Sequence, residues 1–231
     1  LSQVKIADAK NKSCQDITKI KEKGLEHRIY MFFKRVIDIT GSIIGLLLCL
    51  PIFLIVPLIY SFGDSKGPVY FKQRRIGRNG EIFYIYKFRS MVIDAEEKLK
   101  ANKLLYEKYI ANNYKLEQNE DPRITSIGRF LRKTSLDELP QFINVLKGEM
   151  SLIGPRPVIE SELGEYGEKA DLFLSVKPGL TGFWQISGRS DVGYPERVDL
   201  ELYYVYNQNF YFDLKIIIMT IYTVILKRGA Y

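Results

Sequence analysis

The chain has 231 residues, enough for one sizeable domain or a domain with an appendage, and its 34 Lys and Arg against 27 Asp and Glu leave a net charge of +7. That balance suits an anionic partner: nucleic acid, an anionic membrane or a phosphorylated substrate. A lone histidine, His27, argues against a histidine-based triad or a multi-histidine metal site, and the two cysteines, Cys14 and Cys49, form neither a zinc pattern nor a disulfide framework, which points to a reducing cytosol.

The first 30 residues are polar and charged and show no signal peptide, so residues 1–31 read as a polar N-terminal extension. Residues 39–63, "ITGSIIGLLLCLPIFLIVPLIYSFG", follow with no charge over 25 positions, and about 20 suffice to cross a bilayer. Pro51 stands at the middle of this run and Pro57 after it, each removing a helical hydrogen bond. Both flanks are basic: Lys34 and Arg35 before; Lys66, Lys72, Arg74, Arg75 and Arg78 after. Basic flanks favour the cytoplasmic side. A helix–break–helix hairpin over 32–64, entering and returning at Pro51, places both there. Each arm of about 12 residues would rise about 18 Å, little more than half the hydrocarbon thickness. A proline-kinked spanning helix is the alternative.

Residues 65–231 read as a second region with mixed elements. "VYFKQRRIG" and "EIFYIYKFRSM" flank "RNG", so a hairpin is expected over 69–90 with Asn79-Gly80 in a type I′ turn. A charged helix is expected over 93–118, a turn at "DPRIT" (121–125) and a short basic helix over 127–133. Two proline-glycine clusters follow, "LIGPRP" (152–157) and "KPGLTGFWQISGR" (177–189). The aromatic stretch 202–212 has a membrane-interface character, and the apolar run 214–226 is too short to cross, which leaves an interfacial helix or a core helix. The pattern is α+β, with small strands and several short helices.

Between these elements lies "RKTSLDELPQFINVLKG" (132–148), with adjacent carboxylates at Asp137 and Glu138. Ser135 and Glu138 have the spacing of a capping box, acids suit the positive end of a helix, and Gly148 has the position of a C-terminal stop. A cap accounts for Ser135 and Glu138; it accounts for Asp137 only as a first-turn acid. The chain has no glycine-rich nucleotide loop and no Asp-x-Asp metal motif. It offers arginines in loop segments: Arg89, Arg132, Arg156 and Arg189. Arginine suits bidentate phosphate binding, although for any one of them a surface ion pair is the simpler role. Arg156 is set apart because Pro155 and Pro157 restrain it on both sides.

Taken together, "KFRSM" (87–91), "DPRIT", "GRFLRKTSLDELPQFINVLKGEMSLIGPRP" (128–157), "KPGLTGFWQISGR" and the terminal "GAY" resemble the bacterial sugar transferases, monotopic phosphoglycosyl transferases of capsule and exopolysaccharide assembly. The likeness runs from about Phe32 to Tyr231 and is to the short form, a catalytic domain on a re-entrant membrane helix. It implies transfer of a sugar 1-phosphate, glucose or galactose, from a UDP-sugar to undecaprenyl phosphate at the cytoplasmic face of the cell membrane, with release of UMP. It implies Asp137 as nucleophile and Glu138 as a ligand of Mg²⁺. Phosphate or nucleotide-sugar binding falls to Lys87, Arg89, Arg132, Arg156 and Arg189, and the membrane break to Pro51. Lys34, Arg35 and Asp38 match the basic-acidic motif before the membrane helix. Membrane lipid is then a partner, nucleic acid is not, and a homodimer is compatible with it. One departure stands out: family members commonly break the helix with Ser-Pro, and this chain has Leu50-Pro51.

Overall fold

Helix α1 (Leu25–Leu48) is amphipathic in an inverted sense. Its buried side chains are Lys34, Asp38 and Ser42, spaced one turn apart, whereas Phe32, Phe33, Val36, Ile43, Ile44 and Leu47 are exposed. Gly41 and Gly45, both half-buried, flank the end of this stripe. A Cβ on either would come within 2.7 Å of Leu152 or Phe142, so the helix lies closer there than a side chain allows. The computed structural model describes residues 24–111, 116, 120–188 and 192–225. These divide into two compact units: the first takes residues up to Leu47, Lys72–Ile85 and the chain from Gln141, and the second takes Leu48–Phe71 and Tyr86–Pro140.

Helix α2 (Leu50–Ile59) follows α1 across a break at Cys49, with a local bend of 51°. Pro51 occupies the first turn of α2, where its missing N–H removes no intrahelical bond. The break thus falls at Cys49, two residues before the expected Pro51, and Pro51 lies in the first turn of the helix that follows. Pro57 lies inside α2, and the helix continues through it. Among the described residues no single helix is long and apolar enough to cross a membrane; α1 and α2 together have the length and composition.

Strands β1 (Tyr70–Ile76) and β2 (Ile82–Phe88) form the expected hairpin. Asn79 (φ 58°) and Gly80 (φ 81°) are both left-handed, as a type I′ turn requires, and Glu81 N–H closes the turn on Arg78 O at 3.2 Å. The single charged helix expected over 93–118 is instead two, α3 (Ala95–Ala101) and α4 (Lys103–Ala111). Asn102 between them adopts extended backbone, and its Oδ1 accepts from Leu105 N at 3.1 Å, so its side chain starts α4 rather than continuing α3. The later part of that expected helix, 112–115 and 117–119, lies outside the described residues. Helix α5 (Ser126–Lys133) closes the second unit's regular structure. The core of that unit is Val56, Tyr60, Phe88 and Leu131.

In the first unit, α6 (Gln141–Lys147) ends at Gly148, left-handed at φ 83°, which is the expected stop. The two proline-glycine clusters pair with each other: β3 (Ser151–Ile153) runs parallel to β4 (Gly179–Thr181), with Ser151 opposite Gly179 and Ile153 opposite Thr181. Short helices α7 (Glu160–Leu163), α8 (Ala170–Phe173) and α9 (Phe183–Ser187) lead to α10 (Glu196–Asn207) and α11 (Phe210–Ile225). The core here joins Val158, Tyr166, Phe173, Val198, Leu202 and Val205. The aromatic stretch 202–212 thus departs from a purely interfacial role: Leu202, Tyr204 and Val205 are buried, while Tyr211 is 82% exposed. Helix α11 buries Asp213 and Ile216 and leaves Leu214, Ile218, Ile221 and Tyr222 exposed, so it is partly core and partly apolar surface.

Candidate active site

The second unit assembles its site from two motifs that pair through the backbone. Met91 and Ile124 form an antiparallel bridge, Val92 N–H donates to Arg123 O at 2.8 Å, and Thr125 N–H donates to Ser90 O at 3.1 Å. "KFRSM" is thereby fixed to "DPRIT". Thr125 then caps α5, its Oγ1 accepting from Gly128 N at 3.0 Å. The last turn of α5 carries Arg132, whose Nε donates to Ser90 Oγ at 2.8 Å. Asp121 braces the turn with Arg123 through two side-chain hydrogen bonds of 2.8 and 2.7 Å. Burial works against ionisation of Asp121, but its bonds from Arg123 outweigh that and hold its carboxyl below the usual range.

Asp137 and Glu138 lie in a separate 3₁₀ turn, Leu136–Glu138, and the expected capping box does not form. Ser135 is left-handed (φ 56°) and its side chain caps nothing; its N–H donates to Arg132 O at 3.1 Å, so it terminates α5. Pro140 has no N–H to extend the turn, and the next helix starts only at Gln141. A serine in this region is strained relative to glycine. Ser135→Gly is therefore expected to be neutral or to stabilise by up to about 1 kcal/mol, read as the midpoint of chemical unfolding. A capping box would instead make removal of the hydroxyl destabilising by about 1 kcal/mol.

The turn is set among cations. Lys87 Nζ, at the end of β2, pairs with Glu138 Oε1 at 2.7 Å, both side chains being mostly shielded from solvent. Asp137 is 9% exposed. Burial lowers Arg132 below the usual guanidinium range, and the Asp137 and Asp121 carboxylates draw it back up. Arginine remains charged across such shifts. The site thus brings together Lys87, Arg132, Asp137 and Glu138, all within the second unit. Two adjacent carboxylates fit the way Mg²⁺ is usually held, by one or two carboxylates completed by substrate phosphates and water. Among the described residues no group of three or more Asp, Glu, His or Cys forms a closed metal cage.

The other candidates are placed differently. Arg89 is buried; its Nε donates to Pro68 O, Nη1 to Met91 O and Nη2 to Ser65 O and Lys66 O, and it lies 5.2 Å over the Tyr60 ring. Its guanidinium ties together backbone carbonyls rather than facing a ligand. Arg156 belongs to the first unit. Its N–H donates to Glu201 Oε1 at 3.1 Å, and its guanidinium lies 5.9 Å from the Trp184 ring. Glu201 is 1% exposed; burial raises its carboxyl, countered by Arg197 and by a hydrogen bond from Tyr166. Arg189 lies outside the described residues. Pro51 is in α2, as above. Sequence reasoning assigned no role to Ser90 or to the Asp121–Arg123 pair. Their short spacing from Lys87 and within "DPRIT" was the available signal.

A family model described as bacterial sugar transferase matches residues 29–227. The chain is 50% identical over 204 residues to the galactosyl transferase CpsE of Streptococcus agalactiae, covering 87% of this chain and 44% of that protein. It is 45% identical over 213 residues to the undecaprenyl-phosphate galactose phosphotransferase of Salmonella typhimurium, covering 91% and 44%. It is 44% identical over 214 residues to the exopolysaccharide production protein ExoY of Rhizobium meliloti, covering 91% and 93%. The chain therefore spans less than half of the first two relatives and nearly all of the third.

Proposed function

The chain belongs to the bacterial sugar transferase family, and from that premise we propose that it transfers a hexose 1-phosphate from a UDP-sugar to undecaprenyl phosphate and releases UMP. The observation that carries this reading is a shielded carboxylate, Asp137, beside the Lys87–Glu138 ion pair and Arg132. In the first step a carboxylate oxygen of Asp137 bonds to the phosphorus that bears the sugar. The phosphoanhydride bond breaks and UMP leaves. In the second step an oxygen of undecaprenyl phosphate attacks the same phosphorus, the acyl-phosphate bond breaks, and the Asp137 carboxylate is regenerated. An anion attacking a diphosphate is repelled; Lys87 and Arg132 offset that charge. Glu138 is the proposed ligand of Mg²⁺, which when bound supplies neutralisation of the diphosphate. For Arg156 and Arg189 we propose the phosphate-side roles that the family motifs imply.

Glucose and galactose are the proposed sugars; CpsE and the Salmonella protein carry galactose in their names. The test is a panel of UDP-sugars incubated with undecaprenyl phosphate and read by UMP release. Multiple-turnover release that depends on the lipid phosphate and on one hexose supports the assignment. Multiple-turnover release with no lipid requirement would make the protein a hydrolase instead.

We further propose that α1 and α2 enter and leave the membrane on the cytoplasmic face. The support is the apolar outer face of α1, the break at Cys49 just before Pro51 and the basic residues on both flanks. In a background lacking Cys14 and Cys49, Gly24→Cys and Lys66→Cys are both expected to resist an impermeant thiol reagent in intact cells. Both should label once the membrane is opened. Labelling of position 24 from outside would establish a kinked span.

A further inference from the structure

The first unit contains a cavity of about 230 Å³ whose charged lining is Lys34, Arg35, Asp38, Arg78 and Lys177. Three chain segments supply the cations, and each is held in place. Lys34 is paired with Asp213 at 2.7 Å, and Arg35 donates to Val145 O and Leu146 O at 2.6 and 2.8 Å. Asp38, the one acid, is already bound by Ser151 Oγ and Leu152 N. The hairpin tip is docked by Asn79 N–H on Leu174 O at 2.8 Å, which brings Arg78 beside the segment carrying Val176 and Lys177. Among the described residues, neither Arg78 nor Lys177 has a carboxylate at ion-pair distance.

Lys177 and Arg35 also lie close together: a Cβ placed on Gly148 would be 3.4 Å from Lys177 Nζ and 3.5 Å from Arg35 Nη2. Burial, with the neighbouring Arg35 and Arg78 charges, holds the Lys177 amine below the usual lysine range. Such like charges are relieved by an anion placed between them. A planar carboxylate is satisfied by one guanidinium fork; cations converging from separate segments suit a tetrahedral dianion better. Met31, Ile153 and Val176 add an apolar wall to the same cavity.

We infer that this cavity binds a phosphate group, held by Arg78 and Lys177 beside the fixed charge of Arg35, either free or as the phosphomonoester head of a lipid. The second source is suggested by α1 itself, which carries Lys34 and Arg35 into the cavity and leaves Phe32, Phe33 and Val36 exposed. The inference does not depend on the transfer reaction, because none of the cavity residues has a proposed role in it.

The test uses the full chain in detergent with lysines reductively methylated with ¹³C, a modification that keeps the charge. The Lys177 resonance is assigned by its loss in Lys177→Arg. Inorganic phosphate, dihexanoyl phosphatidic acid and dihexanoyl phosphatidylcholine are titrated in turn. A saturable shift of the Lys177 resonance is expected with the first two, and Arg78→Gln should weaken it about tenfold, the effect of one charge-assisted hydrogen bond. Arg78 is exposed, so that variant is expected to melt like the parent. Tighter binding of phosphatidic acid assigns the lipid source, and equal midpoints assign free phosphate. Three results would overturn the site: no saturable shift with either anion, a shift that Arg78→Gln leaves unchanged, or an equal response to phosphatidylcholine.

Discussion

Asp137→Asn is expected to lower UMP release by about a thousandfold or more while leaving a folded protein. The substitution keeps the shape of the side chain and removes the anionic oxygen that the proposed first step needs. The amide also removes one carboxylate charge from beside the buried Arg132, so a modest loss of stability is expected with it. The covalent route makes a second expectation. Incubation of the parent with UDP-sugar and Mg²⁺, without lipid, should add the mass of a sugar phosphate to the peptide containing Asp137, and the asparagine variant should show none. Glu138→Gln should also slow turnover by orders of magnitude, but for a different reason: it weakens the proposed metal ligand and the 2.7 Å pair with Lys87. Its stability cost should be small, because the amide oxygen of glutamine can still accept from Lys87 Nζ. Near-normal turnover in Asp137→Asn would remove the nucleophile assignment and leave the carboxylate pair as a structural turn.

Much of this site could be read from residue order because the motifs are local. Lys87, Asp137, Glu138 and Arg132 stand in short recognisable stretches, and the Asn79-Gly80 turn and the Gly148 stop follow from backbone conformations that few residues adopt. What escaped the sequence was decided by which neighbour a polar group finds. Ser135 has the spacing of a cap, yet Pro140 interrupts the following helix and the residue ends α5 instead. Arg89 and Arg132 both sit in family motifs, but one guanidinium is committed to backbone carbonyls and the other to Ser90 near Asp137. Composition does not separate those fates. The same holds for Tyr204: an aromatic stretch reads as interfacial, and only the tertiary fold shows that this ring is buried against Ile153 and Ile216. Helix α1 shows the limit most clearly, since its charged residues face inward and its apolar ones outward.

That inversion leads to the largest expected loss of stability. Lys34 and Asp213 have side chains only 9% and 8% exposed, and they pair at 2.7 Å. Lys34 Nζ also donates to Tyr204 OH at 3.1 Å, while Asp213 accepts from Tyr30 OH and Tyr204 OH, each at 2.8 Å. Asp213→Ala removes the acceptor of three donors and leaves a buried ammonium without its counter-charge. Breaking a buried pair from one side typically costs about 3–5 kcal/mol, far more than the pair contributes net. Guanidinium unfolding of the detergent-solubilised chain should show a loss of that size. Lys34→Met should be milder, because the remaining carboxylate keeps two tyrosine donors. The double variant Lys34→Met with Asp213→Leu should recover much of the loss, since no unpaired charge then remains buried. Asp213→Ala within about 1 kcal/mol of the parent would show that water reaches this pair and that it behaves as a surface ion pair. In that event the inward stripe of α1 would be held by Arg35 on the carbonyls of α6 and by Asp38 on Ser151 and Leu152. The basic-acidic motif before the membrane helix would then act as an anchor through its second and last residues rather than its first.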